Sequence, residues 1–242
     1  KMKKDVISLL EYRAFEFRRE NGLDPVEPIY IKQVLRRLNI LTQYQPLSDN
    51  FSGMCLKTDK YKFILVNSNH PRGRQHFTIA HEFYHLFVQE NHEVHACNPG
   101  INKDPREVEA DYFASVLLMP EMGIRAMIPE EELWNKQISC STVLKLEHYF
   151  SVSRSAMLVR LRALSLLSAE QYEKMKVIPV LRSALEYGYS DLALYRPGNE
   201  NLFIGDYGDK ARRLFDGEKI SEGHYRELLS KIGINLGIGD EE

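Results

Sequence analysis

The chain has 242 residues, 43% of them hydrophobic and 27% charged, the proportions of an ordinary folded globular protein. A net charge of −2 gives no whole-chain attraction to nucleic acid or an anionic membrane. No apolar run approaches the roughly 18–20 residues that span a bilayer, and "KMKKDVISLLEYRAFEF" lacks a signal peptide's apolar core and cleavage site. The three cysteines, Cys55, Cys97 and Cys140, are odd in number and widely spaced. That pattern suits a reducing cytoplasm without structural disulfides.

In chain order, residues 4–20 read as an amphipathic helix ended by Asn21-Gly22, and Ile31–Leu38 as a second, short one. The runs at 40–45, 51–57 and 61–67 favour strands, with Asp59-Lys60 as a hairpin turn between the last two. A loop, "NSNHPRG", feeds a helix at about 74–89. After a polar linker comes a helix with Asp104 as N-cap, Pro105 as first residue and Pro120 as stop. From 141 the pattern becomes helix-turn-helix-like, with Ser153 capping the second helix. "SAEQ" at 168–171 starts another helix with a capping box. The tail from about 186 carries turn signals and two short helical segments.

The helix at 74–89, "RQHFTIAHEFYHLFV" and its flank, is apolar on nearly every side, which belongs in a core. Yet it carries His81, Glu82 and His85. A buried carboxylate is costly unless something pairs with it. At i, i+4 the two imidazoles project from one face and can converge on one zinc ion. Glu82 is placed to act as a general base toward a water rather than as a ligand. The alternative is a pair of satisfied core histidines, against which the charge of Glu82 counts. Such a site needs a third protein ligand, and "EVEAD" offers Glu107, Glu109 and Asp111. Glu107 and Asp111 share a helix face, so one can ligate while the other accepts the Nδ1–H of a ligating histidine. Glu109 is the fallback ligand. Glu107 also occupies the fourth place of a capping box begun by Asp104.

Together, "RQHFTIAHEFYHLFV" and "EVEADYFASVLLMP" resemble the ImmA/IrrE family of bacterial and phage-borne zinc peptidases. The resemblance covers roughly residues 4–165 in element order. It implies an α+β fold: a mostly helical, zincin-like (gluzincin-like) metallopeptidase domain at 1–135 with a small β-sheet. A helix-turn-helix-like segment follows at 136–167, and a C-terminal extension of unknown role at 168–242. It further implies Zn²⁺ held by His81, His85 and Glu107, with Glu82 catalytic and Asp111 supporting a ligand. The implied activity is cleavage of a partner helix-turn-helix repressor or antitoxin, which releases mobile-element or stress-response genes. A non-catalytic regulator that binds repressor or DNA around a structural zinc is the alternative. Three positions depart from the family pattern: His76 stands where a basic residue is common, and Phe83-Tyr84 where Leu-Gly is common. The sequence assigns no oxyanion donor; Tyr84 and His76 are guesses at one.

Lesser features have plainer readings. His92, His95 and Cys97 read as solvated loop residues rather than a second metal site. Cys55 reads as a small buried hydrophobe rather than a redox brake on the site. Arg154, Arg160, Arg162 and Lys145 make DNA binding conceivable in the helix-turn-helix-like segment. The acidic balance and the sparse base-reading residues of "SRSAM" favour packing on the peptidase domain or docking of the substrate. One of the strands at 51–57 and 61–67, if at a sheet edge, is expected to hold substrate by strand addition.

Overall fold

The computed structural model describes residues 2–89, 95–97 and 104–236, with 95–97 described as backbone alone. Helix α1 (Lys4–Glu20) is followed by α2 (Ile31–Arg37) and three strands, β1 (Leu41–Gln45), β2 (Gly53–Lys57) and β3 (Lys62–Asn67). Next come α3 (Arg72–Phe87), β4 (His95–Cys97) and α4 (Pro105–Leu118). Two short helices, α5 (Glu121–Met127) and α6 (Glu130–Asn135), lead to the pair α7 (Cys140–Phe150) and α8 (Arg154–Ala163). The rest comprises α9 (Ala169–Lys176), α10 (Val180–Glu186), a 3-10 turn (Ala193–Tyr195), β5 (Phe203–Ile204), α11 (Tyr207–Asp216) and α12 (Glu222–Ser230). The architecture is α+β and mostly helical.

The described strands form one mixed sheet in the order β4–β2–β3–β1–β5. β2 and β3 make the expected antiparallel hairpin, while β1 runs parallel to β3. Neither hairpin strand is a free edge along its whole length. β3 lies between β2 and β1, and His95–Cys97 pair antiparallel with Gly53–Cys55 of β2. Substrate addition at residues 53–55 is therefore blocked, because the chain's own linker satisfies that row of backbone groups. At the other edge, β5 of the C-terminal extension pairs with β1 through Thr42↔Ile204 and Gln43↔Phe203.

α3 is apolar all round because it is enclosed. Phe17 of α1 stacks on Phe83 of α3, with centroids 5.3 Å apart, and meets Phe87 and Phe113 edge-on. The other side of α3 lies under β2, and Gly53 permits that approach. A Cβ there would stand 2.7 Å from both Leu65 O and Thr78 Cγ2, closer than real contacts allow. One core runs from Leu10 through to Ile204 and takes in Met157, Leu158 and Leu161 of α8. The helix-turn-helix-like pair thus packs on the domain that carries α3. A small satellite core, Ala211, Tyr225, Leu229 and Ile232, holds α11 to α12.

α4 is fixed at both ends. Asp104 accepts from Arg106 N and caps the start, and Pro105 occupies the first turn. At the C-terminal end, buried Arg18 donates through Nε and Nη2 to Leu117 O at 3.0 and 2.6 Å. Buried Arg160 donates to Met119 O at 3.0 Å. Cations on the last carbonyls offset the negative end of the helix. Burial lowers the Arg18 pKa to about 10, with Asp24 opposing. The N-terminal end of α3 is anchored by the extension, since Arg72 N donates to Arg196 O at 3.0 Å. The buried Gln75 amide donates to Ser68 O, His70 O and Gly198 O and accepts from Asn199 Nδ2. Among the described residues no helix is long and apolar enough to cross a membrane.

Candidate metal centre

His81 and His85 stand one turn apart on α3, both buried, with their Nε2 atoms 3.2 Å from each other. Glu107, in the first turn of α4, faces them. Its Oε2 lies 3.2 Å from His81 Nε2 and its Oε1 3.4 Å from His85 Nε2. One ligand atom from each of the three residues falls within 4.8 Å of the others. The cap at Asp104 and the packing of α4 on α3 bring Glu107 there, in the first turn, with both carboxylate oxygens facing the histidines.

The far sides of both rings are tied down. His81 Nδ1 is 2.9 Å from Asp111 Oδ1. A carboxylate only accepts, so the ring nitrogen donates, which leaves Nε2 to point toward Glu107. His85 Nδ1 likewise donates to Gln89 Oε1 at 2.6 Å. Gln89, four residues on, was not singled out in the sequence; its signal is the i, i+4 spacing just past the end of α3. Glu109 takes no part in the cluster and accepts from the Tyr84 hydroxyl at 2.6 Å. Burial first, then that bond, holds the Tyr84 pKa well above the usual phenol range. His76 is bonded through Nδ1 to Ser151 O at 2.9 Å. Both side chains weighed as oxyanion donors are thus engaged elsewhere.

Glu82 is fully buried, and neither carboxylate oxygen has a hydrogen-bond partner among the described residues. It sits beneath β2: a Cβ on Gly53 would be 3.6 Å from its Oε1. Cys55, one step along the same strand, is buried nearby. Burial first, then the Glu82 carboxylate, push its pKa far up, so it stays a neutral thiol. This is the small buried hydrophobe of the plainer reading, without the thiolate that oxidation requires. His92 lies outside the described residues, and His95 and Cys97 are described only as backbone of β4.

The electrostatics ask for a cation. Bonds from His81 and His85 hold the Glu107 carboxyl well below its usual range. Burial opposes charge on His81, but the bonds to Asp111 and Glu107, with Glu82 close by, outweigh it and raise the ring to about 10. Two imidazoles and one carboxylate are a borderline-soft donor set suited to zinc, and the unpartnered oxygens of Glu82 lie beside it. The residues present fit the metal.

The arginines of the helix-turn-helix-like pair are placed differently from a DNA-reading set. Arg154 and Arg160 are buried, the first paired with Glu147 and the second on Met119 O. Arg162 lies over the Tyr172 ring, 5.4 Å from its centroid. Beside the centre, a groove of about 630 Å³ runs between Phe77 and Arg74 of α3, Asp111 and Tyr112 of α4, and Val159 of α8.

A family model described as Peptidase_M78, the IrrE N-terminal-like domain, matches residues 35–162. No curated protein matches the chain.

Proposed function

The chain belongs to the IrrE N-terminal-like peptidase family, matched over more than half its length, and from that premise we propose that it is a zinc-dependent endopeptidase. The observation that carries the reading is the pairing of a convergent His81–His85–Glu107 donor set with a buried, unpartnered Glu82. A zinc ion held by those three residues would act as a Lewis acid toward the scissile carbonyl and lower the pKa of a water. Glu82 accepts the proton of the attacking water on a carboxylate oxygen and delivers it to the leaving nitrogen. Its enclosure under β2 keeps bulk water away from the carboxylate. Asp111 and Gln89 fix the ring orientations of His81 and His85, as outer-shell acceptors do in zinc sites.

The substrate on this reading is a helix-turn-helix transcriptional repressor or antitoxin, whose loss frees mobile-element or stress-response genes. The groove beside the centre supports it: Phe77, Tyr112 and Val159 offer apolar surface for a substrate side chain, and α8 forms one wall. The burial of Arg154 and Arg160 supports docking or packing, rather than DNA reading, as the role of α7 and α8. In this reading the peptidase unit is 1–135, the helix-turn-helix-like segment 136–167 and the extension 168–242. The site of action is the cytoplasm.

Incubating the zinc-loaded protein with a helix-turn-helix repressor encoded beside it, then weighing the products by mass spectrometry, tests the proposal. A single cut in or beside the DNA-binding or dimerising region is expected. Repressor left intact after long incubation would favour a non-catalytic regulator with a structural zinc.

A further inference from the structure

The groove beside the metal centre has a direction. On α3, Phe77 and Arg74 stand four and seven residues before His81, so all three share one face of the helix. A helix rises about 1.5 Å per residue, which puts Phe77 about 6 Å and Arg74 about 10 Å from His81 along the axis. On α4, Asp111 holds His81 Nδ1 at 2.9 Å, and Tyr112 follows it. Phe77, Arg74, Asp111 and Tyr112 all line one space of about 630 Å³, a size common among ligand sites. The groove thus starts at the carboxylate that steadies a metal-binding histidine and runs back along α3.

Its third wall comes from α8. Ala156, Val159 and Ala163 are three and four residues apart, so they share a face, and all three line the groove. Val159 is 54% exposed, with only small side chains on either side of it. A DNA-reading helix turns polar and charged side chains toward its target; this face is apolar and looks onto the groove. The far end differs. Arg74 is partly buried, donates to Ser52 Oγ at 3.1 Å and joins no ion pair among the described residues. Burial pulls its pKa down, and Asp49 opposes that from beyond contact.

An extended peptide advances about 3.3–3.6 Å per residue. Two residues therefore cover the distance from His81 to Phe77, and three the distance to Arg74. Apolar surface from Phe77, Tyr112 and Val159 suits a large apolar side chain. An unpaired guanidinium at the end of such a groove is complementary to a carboxylate. We infer that the groove is a specificity subsite of the peptidase: it takes a large apolar side chain two residues from the scissile bond, and Arg74 takes an acidic side chain one or two residues further out. The helix-turn-helix-like segment then recognises substrate through the apolar face of α8. The inference rests on the peptidase reading and names the sequences that site accepts.

Panning random phage-displayed dodecapeptides on the zinc-loaded full chain carrying Glu82→Gln tests recognition apart from cleavage. Enriched sequences should place Asp or Glu one or two positions from Leu, Ile, Met, Phe or Trp. Adding Arg74→Glu should exchange the acidic preference for Lys or Arg. Adding Val159→Trp, at an exposed position, should shift the apolar preference to smaller side chains. In the most enriched peptide, made synthetically, alanine for the apolar residue should weaken binding about tenfold or more by fluorescence anisotropy. The unmodified zinc-loaded chain should cut that peptide two residues from the apolar one, as read by mass spectrometry. No enrichment, a cut elsewhere, or the same sequences enriched on all three chains would overturn the subsite. Peptides that follow both preferences but stay uncut would overturn the peptidase reading while upholding the groove's recognition of peptide.

Discussion

Glu82 and Glu147 are both fully buried, and their surroundings are opposite. Glu147 pairs with Arg154 Nε through one oxygen and accepts from the Tyr195 hydroxyl at 2.7 Å through the other. Arg154 reaches on to Ser183 Oγ at 3.3 Å. The cluster binds α7, α8, α10 and the 193–195 turn into one block. Glu82 has no such partners: its neighbours are the convergent His81–His85–Glu107 set, the neutral Cys55 thiol and the underside of β2. A fold gains nothing by burying a carboxylate unpaired. The satisfied glutamate answers to stability; on the proposed reading, the unsatisfied one answers to chemistry.

Five substitutions can break or sharpen that contrast. The largest effect is expected at Glu107→Ala, which should weaken zinc binding by more than about 100-fold in a chelator-competition titration, since it removes a ligand. Glu109→Ala, which loses only the Tyr84 bond, should leave metal content normal; the reverse pattern would exchange their roles. Arg154→Ala strands Glu147 and should cost about 3–5 kcal/mol in urea unfolding. A loss below about 1 kcal/mol would mean the Glu147 cluster is not the structural counterpart described here. Asp111→Ala should weaken zinc about 10–100-fold by freeing the His81 ring. Gly53→Ala should cost about 1–3 kcal/mol, because the new methyl meets Leu65 O and Thr78 Cγ2.

The same contrast explains what could be read before the fold was known. Local chemistry was legible: the Asp104, Ser153 and Ser168 caps, the i, i+4 histidines and the hairpin all announce themselves within a few residues. What escaped depends on distant partners. Arg154 and Arg160 look like exposed cations in a helix-turn-helix pattern, and only Glu147 and Met119 O explain their burial. β4 emerges from a polar linker and β5 from the extension, because pairing with β2 and β1 stabilises segments too short to announce a strand. α5 and α6, each seven residues or fewer, carry too few turns for a periodic signal.

The central claim is that Glu82 is held for catalysis and not for stability, and Glu82→Gln tests it most directly. The isosteric amide removes a buried charge while keeping its shape. The variant should bind zinc as the unmodified chain does and unfold at the same or higher urea concentration. Its cleavage of the repressor should fall by about 10²–10⁴-fold. Cleavage at the unmodified rate by the zinc-loaded variant would contradict the account.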